Sequence, residues 1–261
     1  MMSEDPDESL GYYPQRPIFR RGNAIHRPAH YWTPAVHDLL NYLKSVDFPY
    51  SPRVLGFDSE GREMLAFLPG ESGSAGWHKI ISDEGLEKYA RLLRRYHDVV
   101  KNYRPGEDSQ WAHGTGGVAA GELVCHGDFG PWNIVWQGSE PVGILDWDIA
   151  TPALPERDIL YALEYSAPFR DEETTLKWHH FPELPDRKRR IEVFCQAYGV
   201  PVPENVTRRV AALQRQVAQT MVAMAARGVQ PQKDWVANGA LEDTEKQARW
   251  TESHQRLFEP A

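Results

Sequence analysis

The chain has 261 residues, 41% of them hydrophobic and 25% charged, with a formal net charge of −8. That length allows one large domain or two lobes around a sizeable core, and the acidity argues against a general nucleic-acid binder, which needs Lys and Arg to neutralise phosphates. Two cysteines, Cys125 and Cys195, make no disulfide framework, no apolar run has the length of a membrane span, and the acidic start Ser3–Glu8 is not a signal peptide; the expected setting is cytoplasmic, with no membrane.

Residues 1–17 are polar and Pro-containing and are expected to form a flexible segment. Short strands are expected at Ile18–Arg21 and Ala24–Arg27, around the turn pair Gly22-Asn23. Thr33-Pro34 predicts a helix start, with a hydroxyl N-cap and Pro at the first helical position; Val36, Leu39, Leu40 and Leu43 give it an apolar stripe. Val54–Phe57 and Glu63–Leu68 flank the turn Asp58–Gly61 as a second hairpin, which Pro69-Gly70 ends. The small, polar stretch Gly70–Gly76 suits a linker. Ser82 is placed to cap a long helix reaching about Asn102, whose stripe is Leu86, Tyr89, Leu93, Tyr96 and Val100. A Gly-rich surface loop, Arg104 to Gly121, follows with Trp111 and His113.

The chemistry concentrates at His126-Gly127-Asp128-Phe129-Gly130-Pro131-Trp132-Asn133 and at Asp146-Trp147-Asp148. Leu123–Cys125 reads as a buried strand that delivers His126 into a loop. Ile134–Trp136 and Val142–Leu145, around Gln137-Gly138-Ser139-Glu140, read as a hairpin that returns Asp146 to where Asn133 left. Phosphoryl transfer needs a carboxylate to orient and deprotonate a hydroxyl, and hard oxygen ligands for Mg²⁺ on the phosphates. Asp128 fits the base, and Asn133 and Asp146 fit the metal. After these motifs, Thr151–Pro155 reads as a rigid connector, and helices are expected from Glu156, over Arg187–Tyr198, over Glu204–Arg227 and over Asp234–Leu257.

The Asp-x₄-Asn spacing followed by an Asp is that of the protein-kinase catalytic loop and metal motif. Here the loop reads His-Gly-Asp and the second motif Asp-Trp-Asp. That variant resembles the aminoglycoside phosphotransferase and choline kinase family, small-molecule kinases of protein-kinase-like fold. The resemblance implies an α+β, two-lobed fold with a reduced N-terminal β lobe and a mainly helical C-terminal lobe. The expected divisions are a flexible segment over 1–17, a nucleotide-side lobe over 18–70 and a helical lobe with catalytic loop and acceptor pocket over 71–261. Asp148 is then a further metal-site carboxylate, His126 a loop-fixing residue beside the catalytic Asp128, and Asp158 a brace for the catalytic loop. Asp158 also suits a helix N-terminus on electrostatic grounds alone.

On the nucleotide side, the resemblance makes Arg27 the candidate phosphate contact, an exposed strand arginine being the alternative reading. Ala66, Phe67 and Leu68 become the adenine-contact segment. Two family features are missing: no Gly-x-Gly-x-x-Gly precedes Thr33, and no Glu lies between Ser9 and Ser59 to pair with the phosphate-binding cation. Asp38 on the first helix is the nearest substitute. On the acceptor side, Tyr165, Trp178, His179 and His180 are candidate lining residues; adjacent histidines lack the i, i+4 spacing of a helical zinc site.

The expected activity is transfer of the γ-phosphate of ATP, or of GTP, with Mg²⁺, to a hydroxyl of a small molecule such as an aminoglycoside, choline or amino alcohol. Monomer and homodimer stay open. The competing reading is a catalytically idle kinase-like protein that binds a nucleotide or partner, motivated by the reduced clamp. A metal-dependent phosphatase or hydrolase lacks a nucleophile motif and is the weakest reading.

Overall fold

The short strands in the first third of the chain join in one antiparallel sheet rather than isolated hairpins. The computed structural model describes residues 7–11, 14 and 16–259, so part of the expected flexible segment lies outside the described residues. Strands β1 (Glu8–Ser9), β2 (Phe19–Arg21), β3 (Ala24–Arg27), β4 (Val54–Phe57) and β5 (Glu63–Ala66) join in the order β1-β2-β3-β5-β4. Glu8 and Ser9, expected to be irregular, pair with Arg20 and Phe19. The hairpin of β1 and β2 is closed by the Leu10 and Gly11 amides on the Ile18 carbonyl at 2.8 and 3.1 Å.

Helix α1 (Thr33–Ser45) packs Val36, Leu39, Leu40 and Leu43 into the core. Thr33 does not cap it. Its hydroxyl instead accepts the His30 amide at 2.9 Å and fixes the chain that enters the helix. After β5 the chain turns at Pro69 and is pinned to the catalytic hairpin. Glu71 and Trp136 exchange backbone hydrogen bonds of 2.8 Å, and the Gly73 amide reaches the Trp132 carbonyl at 2.9 Å. Gly70 makes this approach possible: its φ is +149°, and a Cβ there would lie 2.6 Å from the Trp136 carbonyl oxygen.

The rest is mainly helical. A short α2 (Ser74–Lys79) leads to α3 (Asp83–Val100), where the Ser82 hydroxyl accepts the Gly85 amide at 3.1 Å. The α3 stripe does more than fill the core. Tyr96 donates its hydroxyl to the Val124 carbonyl at 2.6 Å and Tyr89 donates to the Phe129 carbonyl, so α3 carries the catalytic strand and loop from beneath. That strand, β6 (Leu123–Cys125), does not stand alone. The expected connector is a strand, β9 (Thr151–Ala153), paired with it, while β7 (Ile134–Gln137) and β8 (Glu140–Ile144) form the expected hairpin between them. The loop before β6 is tucked in rather than loose: Trp111 is buried, and its indole N–H donates to the Gly116 carbonyl at 3.0 Å.

Helices α4 (Glu156–Ser166), α5 (Glu172–Lys177), α6 (Arg187–Tyr198) and α7 (Val206–Ala226) follow. The last expected helix is two, α8 (Gln232–Ala237) and α9 (Ala240–Ser253), because Gly239 at φ +90° ends one and starts the other.

Candidate functional site

The catalytic loop is held by its backbone. Asp158, fully buried on the first turn of α4, accepts the His126 amide at 2.7 Å and the Gly127 amide at 2.8 Å, and His97 of α3 donates to it at 3.0 Å. Burial pulls this carboxyl up, but the His97 bond and its charge, with the amides, hold it below the usual range. The His-Gly-Asp sequence has a steric reason. Gly127 sits at φ +80°, and a Cβ there would run into the Ile149 carbonyl oxygen, so no side chain, Arg included, fits this loop. His126 donates from Nε2 to the Leu145 carbonyl at 2.9 Å and accepts the Asp128 amide at Nδ1 over 3.3 Å. These bonds fix the neutral tautomer, and burial lowers its pKa further. The ring ties the loop to the end of the hairpin and is no proton donor.

Asp128 is gripped at both oxygens. The Asn133 amide donates to Oδ2 at 2.8 Å and to the Asp128 carbonyl at 2.9 Å, and the Tyr161 hydroxyl of α4 donates to Oδ1. Burial, and then the charge of Asp146, push its carboxyl up to about 7. A carboxyl poised there suits a general base near neutral pH. Tyr161 was not read from the sequence; it lies less than one turn after Asp158 on α4, but a tyrosine in an apolar helix stripe gives no signal of its own.

The hairpin brings Asp146 back as expected, with the Leu145 amide on the Asn133 carbonyl at 2.7 Å. Asp146 lies at φ +55°, unusual for a non-glycine residue, at the start of the short turn 147–149. Trp147 between the two acids is buried against His126, ring centroids 4.7 Å apart, and donates to the Ile144 carbonyl at 3.0 Å. The acids therefore point away from the core.

Arginines meet them there. Arg27, 6% exposed, is no surface strand residue. Its Nη2 donates to Asp148 Oδ1 at 2.9 Å, its Nε to Glu63 at 2.8 Å, and its Nη1 lies 3.4 Å from Asp146. Arg16, between β1 and β2, holds the other Asp148 oxygen and approaches Asp146 at 3.6 Å. Burial opposes charge on both sides, yet Asp148, then Glu63 and Asp146, keep Arg27 protonated, and Arg27, then Arg16, keep Asp148 ionised. The expected missing carboxylate partner is thus Glu63 on β5, not a helix residue. Asp38, the other candidate, instead accepts the Tyr103 hydroxyl at 2.5 Å.

These contacts sort the candidate cation ligands by chemistry. Both Asp148 oxygens are taken by guanidiniums, so it does not fit as a direct metal ligand. Asp146 has only long contacts and a side chain 36% exposed. The amide nitrogen of Asn133 is committed to Asp128, which turns its amide oxygen toward any cation. Asn133 and Asp146 are hard oxygen donors that fit Mg²⁺ with water and phosphate completing the shell.

One cleft of about 1310 Å³ joins all of this. Ala66, Phe67 and Leu68 line it, but the Ala66 and Phe67 amides already bond to the Arg53 and Asn23 carbonyls at 2.8 and 2.9 Å. These two amides therefore have no hydrogen to offer an adenine edge. On the opposite side Tyr165 and Trp178 line the cleft, joined by Trp77, Trp132 and Tyr161. His179 and His180 are not among its lining residues. His179 is buried behind the wall with its ring 4.5 Å from that of Trp77, and His180 lies against His78, ring centroids 5.1 Å apart. No helix among the described residues is long and apolar enough to cross a membrane.

An α+β chain with a small antiparallel sheet over a helical lobe, and a His-Gly-Asp loop facing an Asp-x-Asp turn, defines a protein-kinase-like fold. The chain belongs to the phosphotransferase enzyme family. The family's sequence model matches residues 118–213, and the trifolitoxin immunity protein of Rhizobium leguminosarum bv. trifolii is 31% identical over 188 residues, 70% of each chain. Among solved structures, aminoglycoside phosphotransferase APH(3'')-Id from Streptomyces rimosus superposes with a TM-score of 0.56 at 18% identity, covering 81% of this chain and 92% of that one. A choline/ethanolamine kinase family protein from Mesorhizobium loti does so at 0.54 and 16%, covering 97% and 91%.

Proposed function

We propose that the protein transfers the γ-phosphate of a nucleoside triphosphate, ATP in the first instance, to a hydroxyl of a small molecule. The observation that carries this reading is Asp128, held by Asn133 and Tyr161 in the same cleft as Asp146 and two arginines. Asp128 takes the hydroxyl proton as the oxygen forms its bond to the γ-phosphorus, and the bond to the β,γ-bridging oxygen breaks to release the diphosphate. Asn133 and Asp146 hold Mg²⁺, which when bound offsets the charge on the phosphates. Arg27 and Arg16 meet the phosphates from the sheet side, where the family's glycine-rich hairpin would lie. Structural neighbours have been obtained with ADP and streptomycin, and with AMP-PNP, Ca²⁺ and amicoumacin, which supports a nucleotide and a small acceptor sharing one such cleft.

The test is transfer of labelled γ-phosphate from ATP, with Mg²⁺, to a panel of small hydroxylated compounds, run beside Asp128→Asn. Transfer by the wild type and none by the variant is expected. Transfer undiminished in the variant would remove Asp128 from the chemistry.

A second reading has two observations behind it: arginines engage Asp148 closely and Asp146 at longer range, and the relative bears the name of an immunity protein. On this reading the cleft sequesters a toxic small molecule without phosphorylating it. Ligand binding with no nucleotide binding, in the presence of Mg²⁺, would favour it.

A further inference from the structure

The acceptor half of the cleft has a composition of its own. Its wall is continuous aromatic surface: the Trp77, Trp132 and Tyr165 rings lie 4.7 to 6.0 Å from one another, and Tyr161 is 5.2 Å from Tyr165. The rings pack edge to face or tilted against each other, so they form a wall rather than a cage around one point. Trp178 extends this wall to the mouth of the cleft with 65% of its surface exposed. A cation already sits over the Tyr165 ring, the Arg170 guanidinium at 5.3 Å, which leaves that face poorly suited to a second one.

Carboxylates are scarce in the cleft and already engaged. Those lining it are Glu8, Asp128, Asp146 and Asp148. Asp148 and Asp146 answer Arg16 and Arg27, Glu8 lies 3.7 Å from Arg20, and Asp128 is held by Tyr161 and Asn133. Arg157 also lines the cleft, and its Nε and Nη2 are buried with no hydrogen-bond partner among the described residues. Those two nitrogens form the edge of a guanidinium that grips a carboxylate bidentately. Its neighbour His113 is no anion: burial, and then Arg157 itself, lower that imidazole to about 4. Leaving such a guanidinium edge unmatched is costly, so a ligand that supplies the acceptor atoms gains what the empty protein lacks.

We infer that the acceptor is an alcohol with an aromatic or broad apolar body and a carboxylate, its body on the Trp132–Tyr165 wall and its carboxylate on Arg157, and that polycations are rejected. This rests on the phosphotransferase reading for the word acceptor, but binding alone tests the ligand class. The experiment titrates three matched aromatic alcohols into the full chain by calorimetry: 3-phenyllactate, 3-phenylpropane-1,2-diol and phenylalaninol, which differ in bearing a carboxylate, no charge or an ammonium. An aminoglycoside serves as the polycation.

The carboxylate should bind at least about tenfold tighter than the amine, with the diol between. Arg157→Gln should bring the carboxylate down to the diol and leave the diol unchanged. Trp178→Ala, at an exposed position that the fold does not need, should weaken all three together. Tightest binding of the amine or the aminoglycoside would overturn the inference, as would an unchanged order in Arg157→Gln or no binding of any aromatic alcohol in the millimolar range. ATP with Mg²⁺ is titrated separately. If the aromatic order holds but no nucleotide binds, the phosphotransferase reading fails while the ligand class stands.

Discussion

Arg27 on β3 and Glu63 on β5 are direct partners across the antiparallel ladder, and Nε of the first donates to Oε1 of the second over 2.8 Å. Opposed residues in such a pair project from the same face, so the sheet itself aims the arginine at the Asp-x-Asp turn. A cation held by a helix depends on the helix staying close; one held by its neighbouring strand does not. His37 of α1 touches the other Glu63 oxygen at 3.1 Å, which leaves the helix a supporting part.

Glu63 is 1% exposed and Arg27 6%, so removing either takes a buried partner from the other, although Asp148 still answers Arg27 and His37 still meets Glu63. Glu63→Ala should therefore cost about 1–3 kcal/mol of stability. Adding Arg27→Met should recover part of that loss, since both charges are then gone. Urea unfolding of the two single variants and the double variant measures this, and strictly additive losses would show that the pair is not coupled.

Arg27 is therefore a poor probe of nucleotide binding, because its loss disturbs the fold. Arg16 is a better one, between β1 and β2 and anchored, among the described residues, through Asp148 and Asp146. Arg16→Ala should weaken Mg²⁺-nucleotide binding by about 1.5–3 kcal/mol, or about ten- to a hundredfold. Calorimetry with and without Mg²⁺ decides it. Tighter binding in the variant would mean that Arg16 blocks the site instead of serving it.

The two acids of the Asp-x-Asp turn should part ways on mutation. Asp146→Asn should leave stability within about 1 kcal/mol, since its ion pairs are long and partly exposed, and should raise the Mg²⁺ needed for half-maximal activity at least about tenfold. Asp148→Asn should act on the fold, because it uncouples both arginines from a buried partner. Thermal unfolding beside a Mg²⁺ titration separates the two. Equal effects of both variants on the Mg²⁺ requirement would return Asp148 to the metal.

Asp128 gives a pH signature. Its carboxyl is raised to about 7 by burial and then by Asp146, from an ordinary value of 3.8. Between those limits the folded protein holds a proton that the unfolded chain has lost, so this group's contribution to stability falls as pH rises through the window. Asp128→Asn removes that penalty. In the absence of Mg²⁺ the variant should be the more stable form at about pH 8 and lose its advantage toward about pH 4. Activity of the wild type, measured with Mg²⁺, should rise with pH as the base ionises, over a range below the metal-free window because the bound cation favours the carboxylate. A pH-independent stability difference would place the Asp128 carboxyl outside this window.

The sequence by itself determined which residues the His-Gly-Asp loop and the Asp-x-Asp turn bring together, because they lie at short spacing. His126, Asp128 and Asn133 share one loop, and a hairpin of local hydrogen bonds suffices to return Asp146. The apolar stripes of α1 and α3 were equally legible, since burial imposes a helical period on them. Tertiary structure alone decided what meets that loop from far along the chain. Glu63 lies beyond the first helix on a different strand, and only strand register brings it opposite Arg27. Arg16 lay in a segment with no periodicity, and its contact with Asp148 spans 132 positions. Tyr161 became a partner of Asp128 because α4 is tied at its first turn to the loop by the Asp158 carboxylate. His179 and His180, which looked like lining residues, were displaced because the aromatic wall in front of them is built from Trp77 and Trp132, on elements distant in sequence. A local pattern records which side a residue buries; it does not record which distant side chain waits there.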